Sequence, residues 1–312
     1  LAILLSAAVF TGCEQSESTY SGDKISVVAT IFPQYDFVRE IAGDNVELTM
    51  LLPPGAESHS FEPTPQDITK IQNCDIFIYV GGDSDDWIKG ILESMDTSNM
   101  KIISLMDMVD VVEEEIVEGM EDDHGHDHDN EEEAEEEEYD EHVWTSPRNV
   151  KIIVQSISDV LCEADDSNAS QYQQNTASYL AKLDQLDAAF KDAVGAGVRK
   201  TLVFGDRFPF RYFADAYSLN YFAAFPGCST ETEPSAATVA FLIDKVKEEN
   251  IPVVFHIELS NEKMADTICE ATGAKKLLLH ACHSISKNDF ENGVSYLDLM
   301  TANVKAIKEA LK

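Results

Sequence analysis

The sequence predicts an α/β protein of two lobes with mainly parallel sheets, joined by a long helix with a ligand cleft between the lobes. Three observations carry that expectation. Short runs rich in β-branched and aromatic residues alternate with helical stretches in both halves, the runs are continuously apolar rather than alternating, and one long proline-free helical stretch separates the halves. Continuously apolar strands separated by helices bury both faces, as strands of a covered parallel sheet do.

In the first half, residues 24–165, strands are expected at 25–29, 46–52, 75–80 and 101–105. In the second, residues 198–312, they are expected at 201–204, 221–225, 252–257 and 276–279. Between the halves, residues 166–197 form the linking helix. Leu180, Leu183, Leu186, Phe190 and Val194 recur three or four apart and mark one apolar stripe. Residues 165–168 supply capping side chains, and Gly195 and Gly197 stop the helix. Ligands of open α/β sheets bind outside the carboxyl ends of the strands, so two such lobes facing each other create a cleft.

The chain has 312 residues, 44% of them apolar, enough for a core of ordinary size. Its formal charge is −36, and removing the eighteen acids of residues 113–141 still leaves about −18. Such a balance argues against nucleic acid or an anionic membrane face as partner and favours a cationic ligand. Residues 113–141 hold no Lys or Arg but carry His124, His126 and His128. Like charges at that density predict a solvated, disordered loop, and its imidazoles set among carboxylates suit weak capture of a divalent ion such as zinc. The plainer reading is a solubilising acidic spacer.

Residues 1–12, LAILLSAAVFTG, are apolar but too short to span a bilayer, and read as the rear half of a signal peptide. Thr11 and Gly12 before Cys13 have the character of a lipobox, so Cys13 is expected to be lipidated, with residues 13–23 as a tether holding the protein at the outer face of a bacterial cell membrane. The other five cysteines, Cys74, Cys162, Cys228, Cys269 and Cys282, include no CxxC pair and indicate no disulfide framework.

Two segments carry chemistry. Residues 53–65 read PPGAESHSFEPTP, where proline and glycine fix a loop with His59 at its crest, able to bond a metal without rearrangement. His142 stands in Glu141-His142-Val143-Trp144, just before a helix start at Ser146-Pro147. Taken with the His-rich acidic loop ahead of the second segment, these motifs resemble the zinc-binding lipoproteins of metal ABC transporters, the cluster A-I solute-binding proteins. The resemblance covers almost all of the chain after Cys13, including the long helix and Glu231-Thr232-Glu233-Pro234-Ser235.

The resemblance implies two α/β lobes joined by a rigid helix and a divalent cation in the cleft, held by His59 and His142. The chain departs from the family at the third ligand. Where relatives carry a histidine, this chain reads Phe204-Gly205-Asp206-Arg207-Phe208. Asp206 could donate an oxygen or be held in an ion pair by Arg207. The family's late carboxylates correspond to Glu258 and to His280, and a histidine at the latter position would restore a third nitrogen. His283 and Cys282 nearby read as surface or helix-start residues. His256, two residues before Glu258 on an apolar strand, is a reserve ligand, and Glu57 and Glu62 are expected to orient imidazoles rather than touch metal.

The expected function is capture of Zn2+ outside the cytoplasm and delivery to an ABC permease, with no catalysis. Nitrogen-rich ligation favours zinc, although His59 and His142 with Asp206 and Glu258 would make a site that Mn2+ could share. An adhesin-like surface role could coexist on the same fold. A zinc enzyme is the rival from another class, and the chain has no HExxH, no phosphate-cradling glycine loop and no GxSxG.

Overall fold

The computed structural model describes residues 24–57, 61–120, 138–229 and 233–312. Cys13, His59, His124, His126 and His128 lie outside the described residues. In the first lobe the chain runs β1 (Ser26–Ala29), α1 (Phe32–Ala42), β2 (Glu47–Met50), α2 (Pro65–Gln72), β3 (Ile76–Tyr79), α3 (Asp86–Ser94), β4 (Lys101–Ser104) and α4 (Pro147–Ala164). The long helix α5 (Ala169–Gly195) follows. The second lobe holds β5 (Thr201–Val203), β6 (Arg207–Phe208), α6 (Arg211–Tyr217), β7 (Asn220–Phe222), β8 (Phe225–Pro226), α7 (Ala236–Glu248), β9 (Val253–His256), α8 (Lys263–Thr272), β10 (Lys275–Leu278), α9 (Lys287–Glu291) and α10 (Tyr296–Ala310).

All described strand pairs are parallel, as continuously apolar strands require. The first sheet has the order β2-β1-β3-β4. Its connections leave β1 and β3 in opposite directions, so a crevice opens between their carboxyl ends. In the second lobe β10-β9 and β5-β7 meet through the parallel bridge of Phe204 with Phe255. The strand expected over 221–225 is broken in two, because the Ala224 N–H turns to donate to the Asp206 carbonyl at 3.1 Å.

Helix starts follow local chemistry. Pro33, Pro65 and Pro147 occupy first turns, where a missing N–H costs nothing. Thr64 and Asp67 form a reciprocal capping box at α2, and Ser235, Ser286 and Ser295 cap α7, α9 and α10.

Helix α5 does more than connect. It packs along α4, α1 and α10, and buries Leu183, Leu186, Phe190 and Val194 of the expected stripe together with Tyr172 and Tyr179. No side-chain bond caps it at Asn168; the turn before it is organised by the Asp165 carboxylate, which accepts from Ser167, Asn168 and Tyr172. Helix α10 packs against β9 and β10, yet its first N–H, that of Tyr296, donates to Asp36 of α1 at 2.7 Å. Two helices therefore tie the lobes together.

Asp36 is fully buried and paired with Arg39. Burial raises its pKa to about 6, against the lowering effects of Arg39 and the Tyr296 N–H. A carboxyl whose folded pKa lies above its unfolded value contributes stability below pH 3.8 and loses it as pH rises through about 6. The Asp36→Asn variant should remove this component, so that its stability in urea changes less than wild type between pH 4 and 6, by roughly 2–3 kcal/mol. An unchanged profile would show that Asp36 does not titrate in that window.

The acidic segment is only partly as expected. Its stems form a short antiparallel ladder, with Glu113 bridged to Tyr139, the Glu114 N–H on the Glu138 carbonyl at 2.9 Å and the Asp140 N–H on the Val112 carbonyl at 3.0 Å. Asp140 and Glu141 are buried. Disorder over all of 113–141 is thus corrected at both ends, where backbone donors compensate charges that repulsion alone would expel. Residues 121–137 lie outside the described residues.

Candidate metal centre

Each residue of the Glu141–Trp144 motif has its own partner. The Glu141 carboxylate accepts the Ser84 N–H at 2.6 Å, which anchors the motif to the loop after β3. Trp144 is fully buried, and its indole N–H donates to the Ala281 carbonyl of the second lobe at 2.8 Å. The Tyr296 hydroxyl donates to the Trp144 carbonyl at 2.8 Å. The ring of His142 is thereby fixed between the lobes.

His142 is fully buried, with its backbone N–H 2.8 Å and its Nδ1 3.2 Å from Asp140 Oδ1. A neutral imidazole that donates through Nδ1 presents its lone pair on Nε2, the arrangement by which carboxylate–histidine pairs orient metal ligands. Burial alone would push the pKa of His142 down. The charge and hydrogen bond of Asp140, with the charges of Glu141 and Glu114, outweigh burial and hold it above the ordinary histidine value. Gly227 leaves room for the ring: a Cβ there would stand 3.1 Å from His142 Cε1 and 3.0 Å from the Phe208 carbonyl oxygen.

His142 faces a small cleft of about 20 Å³, bounded on the first-lobe side by Glu57 and on the second-lobe side by Arg207, Glu258, His283 and Ser284. That volume suits one water-sized occupant. A neighbouring cavity, also about 20 Å³, is lined by Thr30, Val80, Glu141 and again His283. It occupies the crevice beyond the carboxyl ends of β1 and β3, so His283 stands where the switch point of the first sheet meets the second lobe.

The ring centres of His142 and His283 are 5.2 Å apart. Two imidazoles sharing a tetrahedral zinc at about 2.0–2.1 Å have ring centres roughly 5 Å apart. Trp144 packs against both rings, at 5.4 Å from His142 and 4.9 Å from His283. Among the described residues, no three His, Cys, Asp or Glu side chains converge closely enough to hold a metal. The described part of the cleft supplies a pair of imidazoles, and His59, expected as a ligand beside His142, lies outside the described residues.

The other expected ligands have different surroundings. His280 is buried but does not line the cleft. Asn303 brackets its backbone with two hydrogen bonds of 2.8 Å, and its Nδ1 accepts the Cys282 N–H at 2.9 Å. Cys282 adopts φ 61°, and the turn it makes brings His283 to the cleft. His283, expected as a surface or helix-start residue, instead lines the cleft; its place in the loop after the carboxyl end of β10 is the signal that marks it. Glu258 lines the cleft, but its oxygens accept the Ala281 N–H at 2.7 Å and the His283 N–H at 3.0 Å. Asp206 accepts the N–H groups of Arg207 at 2.9 Å and Ile257 at 3.2 Å. Burial raises its pKa, against those hydrogen bonds. The Arg207 guanidinium pairs with Glu57 at 3.3 Å. His256 directs Nδ1 to the Ile257 carbonyl at 3.1 Å and lies outside the cleft lining. Gly205, in the family's histidine position, could not be a histidine without displacing α8, since a Cβ there would lie 2.6 Å from the Ala265 Cα.

The five described cysteines are free thiols. No helix of the described residues is long and apolar enough to cross a membrane.

Comparison with known proteins gives one consistent result. The family described as ZnuA, zinc-uptake complex component A, periplasmic, matches residues 27–310. The high-affinity zinc uptake system protein ZnuA of Bacillus subtilis is 33% identical over 308 residues, covering 99% of this chain and 94% of that protein. The zinc-binding lipoprotein AdcA of Streptococcus pneumoniae is 31% identical over 295 residues, 94% of this chain, which spans only 57% of AdcA. The crystal structure of the Zn(II)-bound ZnuA-like domain of that AdcA superposes with a TM-score of 0.75 at 28% identity, covering 92% of this chain and 99% of that domain.

Proposed function

Since the chain belongs to the ZnuA family of zinc-uptake components, we propose that His142 and His283 hold the zinc ion in its cleft, with His59 as the third nitrogen. The protein is an extracytoplasmic solute-binding component that captures zinc for uptake. The observation that carries the ligand assignment is the pair of imidazoles 5.2 Å apart at the junction of the lobes, one oriented by Asp140 and the other by the loop that Glu258 holds. Three nitrogens suit zinc, whose tetrahedral site needs one further donor. In this reading Asp206, Glu258 and His280 shape the second-lobe wall through hydrogen bonds to backbone groups. The chain binds and releases its ion without chemical change, passes it to an ABC permease, and is held at the membrane by a lipid on Cys13. The segment with His124, His126 and His128 gathers zinc weakly ahead of the cleft.

Calorimetric zinc titration of two variants tests the assignment. His283→Ala should weaken the tight site by at least about tenfold, in line with losing a direct ligand. His280→Ala should leave affinity within about threefold of wild type while lowering thermal stability, because it removes a buried partner of the Cys282 N–H. The reverse pattern would make His280 the ligand and His283 its support.

A further inference from the structure

The cleft contains a fixed positive charge, which is unexpected where a dication is to bind. Arg207 on β6 lines it with a side chain only 11% exposed. Its guanidinium donates to the Ser229 carbonyl at 3.2 Å and reaches both oxygens of Glu57 at 3.3 and 3.4 Å. Glu57 belongs to the first lobe, so the pair spans the cleft. Beside it, the Gly55 N–H donates to the Ile285 carbonyl at 2.7 Å and the Ser284 hydroxyl to the Ala56 carbonyl at 3.0 Å, which ties the same loop to the second lobe. The loop is therefore already held without the ion pair, and the pair calls for another role.

Glu57 and Glu258 are the carboxylates among the described residues that line the cleft. Arg207 holds the first and two backbone N–H groups hold the second. Resting on the reading of the cleft as a zinc site, we infer that Arg207 is a specificity-determining residue, which withholds the Glu57 carboxylate from metal and so excludes oxygen-preferring dications such as Mn2+. A guanidinium keeps its proton, so it repels every dication alike. Zinc offsets that repulsion through strong imidazole bonds, whereas Mn2+, at the weak end of the divalent series, gains least from nitrogen and relies on carboxylate oxygens. With its oxygens committed to protein donors, the cleft offers Mn2+ little in return.

Competition titrations of Zn2+ and Mn2+ on the full chain test this, comparing wild type with Arg207→Met, Arg207→Gln, and Arg207→Met combined with Glu57→Gln. Both single variants should raise Mn2+ affinity at least tenfold and lower the zinc-to-manganese ratio by a similar factor. The double variant should return the ratio toward wild type, because the released carboxylate is gone. A role confined to holding the fold would move both affinities together, and an unmoved ratio in folded single variants overturns the inference. A ratio that stays low in the double variant overturns it as well, since charge alone would then account for the effect. Should Arg207→Met fail to fold, the more conservative Arg207→Gln gives the same reading. A wild-type chain lacking a tight zinc site would defeat the zinc reading and this inference together, whereas a tight site with an unmoved ratio defeats the inference alone.

Discussion

Replacing His142 by alanine should abolish tight zinc binding, weakening it by at least about 100-fold, more than the 10–100-fold typical for loss of a residue that only orients a ligand. The ring is fully buried between the lobes and aligned by Asp140, so its removal deletes a donor already fixed in place. Asp140→Asn should fall in the orienting range, about 10–100-fold. The two variants should also differ from wild type in pH dependence. Zinc needs the neutral ring, so affinity falls as pH drops through the His142 pKa. Burial lowers that pKa, and Asp140, Glu141 and Glu114 more than reverse the effect, so wild type should begin to lose zinc at a higher pH than an ordinary histidine would dictate. Removing the Asp140 charge lowers the pKa and should shift the loss to lower pH. Calorimetry from pH 5 to 8 would measure both effects, and an Asp140→Asn profile displaced upward would contradict the assignment.

The largest loss of stability is expected from Trp144→Ala. The indole is fully buried, donates to the Ala281 carbonyl across the lobe junction and packs on the rings of His142 and His283. Removing it deletes a large core side chain and strands a buried carbonyl, at a cost of about 3–5 kcal/mol. Urea unfolding should show that loss, and zinc affinity should fall as well, because both imidazoles lose the surface that sets their spacing. Trp144→Phe keeps the packing but not the donor and should cost less on both measures. If Trp144→Ala bound zinc like wild type, the indole would be a core residue without a part in the site.

The outline of the molecule was written in local pattern. Runs such as Ile76–Tyr79 and Val253–His256 are short, mostly apolar and rich in β-branched or aromatic residues, which marks them as largely buried strands, and they recur with helices between them. The long helix over 169–195 announced itself by its spacing of leucines and phenylalanine. His142 was legible because its neighbours are themselves informative: an acid before it, a tryptophan after it and a proline-started helix beyond. Charge density predicts that Asp140 and Glu141 are solvated, yet both are buried: Asp140 accepts the nearby His142 N–H, and Glu141 accepts the Ser84 N–H from a loop 57 residues away.

The sequence by itself determined the parallel α/β architecture and the long helix between the lobes, and it singled out His142 as a candidate, because each depends on periodicity or on adjacent residues. Only the tertiary structure decided which of His280 and His283 reaches the cleft, since that rests on the left-handed turn at Cys282 and on the grip of Asn303 from α10. It also decided that Arg207 pairs with Glu57, 150 positions away, rather than with its neighbour Asp206. Side-chain direction in a loop is fixed by the hydrogen bonds its backbone finds across the fold, and those partners carry no mark in the local sequence.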